Sequence, residues 1–180
     1  MNATSRILWQ KARDGDREAY DRLFTLHADR AMLYVRARLG PAMREAVESC
    51  DILQDAYLAA HRDFTSFEFT DEDSFRRWLS RIIENRIRDL GDYLGAKKRQ
   101  PTALPPPDPL TGPVTEAART ESREAVIKGL DALSEDHRTV LLLRYFEGLT
   151  AEEAGHRTGR TAGAVRKLTV RALAELGERL

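Results

Sequence analysis

Six of the seven prolines, Pro101, Pro105, Pro106, Pro107, Pro109 and Pro113, fall within residues 101–113. Proline fixes φ and has no N–H to donate, so this stretch can be neither a helix interior nor a central strand. It reads as an extended linker. A chain of 180 residues interrupted there divides into two small bodies rather than one continuous core. The expected division is residues 1–96, a linker over 97–115, and residues 116–180. With 42% hydrophobic and 32% charged residues, both bodies can bury a core, and the chain does not read as disordered.

Strand signals are absent and helical periodicity is strong, so the expected fold class is all-α. Over residues 16–39, Tyr20, Leu23, Phe24, His27, Ala31, Tyr34 and Val35 follow the i, i+3, i+4, i+7 spacing of one buried face. Gly40 and Pro41 are expected to end that helix. Leu53, Ala56, Tyr57, Ala60 and Phe64 predict a second helix, and residues 65–73 read as an acidic loop carrying Phe67 and Phe69. Asp73 or Ser74 can cap a third helix, whose stripe is Phe75, Trp78, Leu79, Ile82, Ile83, Ile87 and Leu90. Beyond the prolines, a helix is expected near 116–133. Ser134 caps the next, which Gly148 closes. Thr150 and Glu153 form a capping box for a short helix stopping at Gly159. Thr161 caps the last, with Val165, Leu168, Ala172 and Leu176 facing inward. A short helix, a glycine-containing turn and a longer basic helix make a helix-turn-helix pattern.

Charge is balanced overall, 29 basic against 29 acidic side chains, but unevenly distributed. Residues 76–99 hold eight Lys/Arg against three acids, and residues 157–179 hold six against two. Two basic segments on a neutral chain suggest two nucleic-acid contacts, with acidic surface left to meet protein. The single cysteine, Cys50, allows no internal disulfide and no cysteine-based zinc site. The four histidines have no metal-ligand spacing, and no glycine-rich phosphate loop is present, so no cofactor is implied. Neither a signal peptide nor a run of about eighteen apolar residues is visible, which predicts a cytoplasmic protein without a membrane contact.

On the last helix, Arg166, Lys167, Thr169 and Arg171 lie largely off the apolar stripe, with Arg160 and Thr161 at its entrance. A helix fits the major groove, where Arg and Lys donate to guanine acceptors and to phosphates. On the third helix, Arg77, Arg81, Asn85 and Arg88 form a polar face beside Trp78. Trp78 itself reads mostly as core. That face, with Phe67 and Phe69 in the preceding loop, suits separated DNA, because unpaired bases stack on aromatics while arginines follow the phosphates. On the second helix, Asp51, Gln54 and Asp55 are three and four apart and share a face. By itself that is an acidic solvated surface.

Three stretches carry a family resemblance. Asp51-Ile52-Leu53-Gln54-Asp55-Ala56-Tyr57-Leu58 resembles the core-polymerase-binding segment of bacterial sigma factors, region 2.2. The stretch from Phe75-Arg76-Arg77-Trp78 to Asn85-Arg86-Ile87-Arg88-Asp89 resembles the promoter-melting and −10-reading segments, regions 2.3 and 2.4. The stretch from Leu133-Ser134 through Glu147-Gly148-Leu149-Thr150 to Val165-Arg166-Lys167 is similar to region 4, which reads the −35 element. In a chain this short the resemblance is to the extracytoplasmic-function subgroup of the sigma-70 family.

It implies a non-catalytic promoter-specificity subunit that binds the clamp coiled coil of core RNA polymerase through Asp51, Gln54 and Asp55, with the polymerase flap as a further partner. It implies −10 contacts from Phe67, Phe69, Arg77, Trp78, Arg81, Asn85 and Arg88. It implies −35 contacts from Arg160, Thr161, Arg166, Lys167, Thr169 and Arg171. An anti-sigma protein is a further candidate partner. The chain departs from the subgroup at Leu168, where a basic residue is common, and in its acidic loop of Glu68, Asp71, Glu72 and Asp73. Competing readings are a helix-turn-helix regulator acting without polymerase, and a helical adaptor or antagonist of the transcription machinery. The first leaves the acidic face and the Arg/Asn/Trp helix without a role.

The linker also generates a test. Residues 95–113 extend to roughly 60 Å at about 3.1 Å per residue. The resemblance implies elements about one and a half DNA turns apart, roughly 50 Å. Deleting about eight linker residues should abolish transcription from normally spaced promoters. Replacing the prolines at equal length should do less harm, and runoff assays on promoters of graded spacing check both.

Overall fold

The computed structural model describes residues 3–71, 73–97 and 117–180, and among these the ordered elements are helical. The proline-rich stretch lies outside the described residues. The first helix, α1 (Ala3–Arg13), was not expected from the sequence. Its inward face is Ser5, Leu8, Trp9 and Ala12, too short an apolar stripe to stand out without its partner.

Helix α2 (Arg17–Ala46) starts at Asp16, whose carboxylate accepts from the Ala19 N–H at 3.0 Å. It does not end at Gly40 and Pro41 but runs on to Ala46. A proline inside a helix costs about 3 kcal/mol through the missing N–H and the ring's clash with the preceding turn. Packing on both sides opposes that cost: Leu39 is buried before the dipeptide, and Met43 packs on the core after it. The Val47 N–H closes the last turn on the Met43 carbonyl at 3.0 Å. Local propensity alone could not reveal that outcome.

Helix α3 (Ser49–Asp63) and a 3-10 turn (Phe64–Ser66) lead into the loop, and α4 (Ser74–Lys97) completes the N-terminal body. The α3 face of Ile52, Leu53, Ala56, Ala59 and Ala60 and the α4 stripe of Phe75, Leu79, Ile82, Ile83 and Ile87 meet over α2. Phe75 is fully buried, edge-on to Phe24 at 5.4 Å and to Phe67 at 5.7 Å. Aromatic pairs in this geometry add about 0.5–1.5 kcal/mol each beyond area burial. The loop ends on Asp71: its carboxylate accepts from the Asp73 N–H at 2.9 Å and pairs with Arg77, while the Ser74 hydroxyl donates to its carbonyl at 2.6 Å. Ser74 therefore ties back to the loop rather than capping a first-turn N–H.

The C-terminal body is α5 (Ala117–Ala132), α6 (Glu135–Leu141), a π-helical turn (Leu142–Phe146), α7 (Ala151–Thr158) and α8 (Ala162–Gly177). The expected caps form. The Ser134 hydroxyl accepts from the His137 N–H at 3.3 Å, the Thr150/Glu153 box is closed in both directions, and Thr161 accepts from Ala164 at 3.2 Å. Between α7 and α8 the chain turns at Gly159, at φ +67, and folds back over Gly155 of α7. A Cβ there would stand 2.5 Å from the Arg160 carbonyl oxygen, so only glycine lets the two helices approach. The wide turn after α6 closes from the Glu147 N–H to the Leu142 carbonyl at 3.0 Å. Gly148 follows with φ +70.

His27 provides a check on the N-terminal core. Burial, with Arg30 and Arg76 nearby, lowers its pKa from 6.5 to about 4, and its Nε2 lies 3.2 Å from the Ser5 hydroxyl. The unfolded chain therefore binds the proton more readily than the folded one. This group leaves stability untouched above its unfolded pKa and costs stability progressively as pH falls from there toward about 4. Between pH 7.5 and 5 the loss should be about 2 kcal/mol. Urea unfolding at the two pH values should show it, and His27→Gln should flatten the dependence over that interval.

Candidate functional site

Three surfaces emerge from this architecture. The first lies on α3, where Gln54 and Asp55 are exposed and Asp51 half-buried, all pointing away from the Ile52–Ala56 core side. Leu58, one turn further along, is 57% exposed and adds an apolar knob to this acidic face.

The second surface is the outer side of α4. Arg81, Asn85 and Arg88 are exposed, and among the described residues no ion pair engages the two arginines. Arg77 is half-buried and held by Asp71. The carboxylate of Asp71 sits below its ordinary range: slight burial pushes it up, but the Asp73 N–H and Arg77 outweigh that. Trp78 packs partly into the core, stacked on Phe67 with ring centroids 4.7 Å apart.

The expected stacking surface in the loop is corrected here. Phe67 is 6% exposed and Phe69 is 9% exposed. Both rings face Trp9 of α1, at 6.2 and 5.7 Å, and Arg6 lies over Phe69. The helix missed in the sequence covers the aromatics that looked free in it. As folded, the loop presents Glu68 and Thr70 to solvent instead.

The third surface is α8. Arg166, Lys167 and Arg171 are exposed on one side, and Val170 stands among them at 67% exposure. Thr169 does not join them. It is 7% exposed, and its hydroxyl donates to the Val165 carbonyl at 2.8 Å. Four residues after Val165 and three before Ala172, Thr169 belongs to the buried stripe, which excludes it from a groove contact. Val170 was missed in the sequence although it sits three and four residues from Lys167 and Arg166. An exposed aliphatic on a basic helix face is suited to a thymine methyl. Thr161 spends its hydroxyl on the helix cap. Arg160 pairs with Asp136 at 2.7 Å and Arg166 with Glu152 at 3.2 Å.

Residues 23–99 match the model of sigma-70 region 2, and residues 129–178 match that of sigma-70 region 4. The chain belongs to the sigma-70 family. Its similarity to the extracytoplasmic-function RNA polymerase sigma factor SigM of Mycobacterium tuberculosis places it in that subgroup, with 31% identity over 92% of this chain and 79% of SigM. Among solved structures it is similar to CnrH in complex with the cytosolic domain of CnrY, with 25% identity, 97% and 95% coverage of the two chains and a TM-score of 0.57. The sigma factor RpoE from Bartonella quintana, solved with the anti-sigma factor NepR, shares the fold at 20% identity, 89% and 95% coverage and a TM-score of 0.54. No helix among the described residues of this sigma factor is long and apolar enough to cross a membrane.

The two sides of α8 should separate by mutation. Lys167→Ala or Arg171→Ala, facing outward, should relax promoter preference at the −35 element or weaken binding, with about 1–3 kcal/mol lost where a bidentate base contact is removed. Thr169→Val, buried, should leave that preference unchanged. Transcription of a promoter library by each variant reads the difference.

Proposed function

We propose that this extracytoplasmic-function sigma factor contacts the polymerase and promoter through the three surfaces described above. The chain is an alternative sigma factor that directs core RNA polymerase to promoters and supplies specificity rather than catalysis. The acidic α3 face of Asp51, Gln54 and Asp55, extended by Leu58, docks on the clamp coiled coil of the polymerase. The outer side of α4, through Arg77, Arg81, Asn85 and Arg88, follows the displaced strand of the −10 element. The α8 face of Arg166, Lys167, Val170 and Arg171 enters the major groove at the −35 element, and Arg160 holds a phosphate at the helix entrance.

The observation that carries this reading is the division of labour across one chain. Exposed acids on α3 are segregated in the chain from two exposed basic faces, one on α4 and one on α8. A duplex-binding regulator needs only α7 and α8. It gives no reason for Arg81, Asn85 and Arg88 to line up unpaired on α4. An anti-sigma factor, of the kind solved in complex with the Bartonella protein, would have the same exposed faces to cover.

Asp51→Arg together with Asp55→Arg should weaken binding of purified core polymerase by at least tenfold and leave helix content unchanged. Asn85→Ala should slow promoter opening more than duplex binding. Titration with labelled core and permanganate footprinting measure the two effects. Unchanged core affinity in the double variant would remove α3 from the docking surface.

A further inference from the structure

The two bodies do not sit apart. The Tyr34 hydroxyl, on α2, donates to the Glu147 carboxylate across the boundary at 2.8 Å, and the same oxygen lies 3.1 Å from Glu84 on α4. Arg38 pairs with Glu84, and Arg157 of α7 pairs with Glu147. Tyr34 is 1% exposed and Glu147 5%. Phe146 lies beside Tyr34 with ring centroids 6.2 Å apart, and it shares the lining of a small void with His27, Arg76, Leu79 and Ile83. A second link joins Arg44 of α2 to Asp131 of α5.

The contact reaches the start of α4. The backbone at Gly148 lies against the Arg76 guanidinium so closely that a Cβ would fall 2.2 Å from its Nη2. Arg76 is the neighbour of Arg77, and the Glu153 carboxylate of α7 lies within electrostatic reach of Arg77 and Asp71. The approach to the first turn of α4 is thus occupied by the π-helical turn and by the acidic N-terminus of α7. A DNA strand that paired its phosphates with Arg76 and Arg77 would need the same space and the same charge complement.

We infer that the free protein is held closed by a clasp of Tyr34, Glu147, Arg157 and the Arg44–Asp131 pair, in which the C-terminal body stands in for DNA at the N-terminal end of α4. The occupant is this chain's own C-terminal body. Binding of single-stranded DNA there and closure are mutually exclusive. The inference rests on the proposed use of α4 for the separated strand. Apparent DNA affinity is the open-state affinity multiplied by the open fraction, so a chain nine-tenths closed gains about tenfold when the clasp is removed.

The test uses the full chain with fluorophores on Cys50, which is exposed on α3, and on a cysteine introduced as Glu178→Cys beyond α8. Tyr34→Phe with Glu147→Gln is one opening variant. Arg44→Glu, at the separate link, is the other, and circular dichroism confirms that each keeps its helix content. The parent should show high energy transfer that falls in both variants. A mixed-sequence single-stranded 30-mer should bind both variants about three- to tenfold more tightly than the parent. Low transfer in the parent, or equal transfer in all three proteins, overturns the clasp. A fall in transfer with equal 30-mer affinity shows that closure covers no DNA site and overturns the competition. If no protein binds the 30-mer while transfer still falls, the reading of α4 fails and takes the competition with it. Core-dependent transcription, measured separately, reports on the sigma function itself.

Discussion

One phenolic hydroxyl, that of Tyr34, joins two carboxylates from opposite halves of the chain. It has a single proton to share, and the shorter contact goes to Glu147. Burial, then the two neighbouring carboxylates, hold its pKa far above the ordinary tyrosine value, so it remains a donor at any ordinary pH. Glu147 in turn would be an expensive group to bury alone. A carboxylate taken out of water is tolerated only when cations and donors satisfy it, and removing one partner of such a pair typically costs about 3–5 kcal/mol. Here Arg157 and Tyr34 supply those partners from two directions. The π-helical turn serves the same end: by widening the chain after α6, it delivers Phe146 and Glu147 together to α2. The contact around the π-helical turn keeps that carboxylate satisfied, while Arg44 and Asp131 join the bodies separately.

Most of the fold was legible from periodicity and caps. The stripe of α4, the capping box at Thr150 and Glu153, and the caps at Ser134 and Thr161 each follow from a local rule, and each forms. The failures share a cause. Pro41 does not stop α2 because Leu39 and Met43 pack on either side of it, and α1 escaped notice because its short face acquires meaning only against α2 and the loop. Phe67 and Phe69 looked like free aromatics for the same reason. Their cover comes from Trp9, more than fifty residues away in sequence. Thr169 was misplaced for a narrower reason: it stands four residues from Val165 and three from Ala172, on the buried stripe, but its polar side chain reads as surface. The clasp itself was not legible, because Glu147 and Tyr34 are 113 residues apart and no local rule links them.

The neutral total charge acquires a physical meaning once the ion pairs are placed. Arg77 is matched by Asp71, Arg160 by Asp136, Arg166 by Glu152 and Arg157 by Glu147. On the two proposed DNA faces, Arg81, Arg88, Lys167 and Arg171 meet solvent without an ion-pair partner among the described residues. Phosphate binding by the first set is an exchange, in which one anion replaces another. Phosphate binding by the second set is a net gain that releases counterions and carries the salt dependence. The surface pairs are individually weak, worth about 0–1 kcal/mol, so they do not prevent the exchange. They do suppress non-specific attraction to DNA, because the long-range field of a paired arginine is that of a dipole.

That distinction separates the two basic faces. On α8 the paired Arg166 stands beside the unpaired Lys167 and Arg171, so the face retains positive potential whatever the rest of the chain does. On α4 the arginines nearest the loop, Arg76 and Arg77, are neutralised by Asp73 and Asp71, and only the later turns are free. Arg76 is additionally desolvated, which lowers its pKa and makes its charge costly to leave without an anion nearby. An arginine in that position favours whatever brings negative charge closest. In the closed chain the nearby carboxylates are those of Asp73 and, toward Arg77, Asp71 and Glu153. On the proposed use of α4, the phosphates of separated DNA would have to displace at least one of these. The acidity of the loop, a departure from the subgroup in sequence, compensates these arginines in the closed chain.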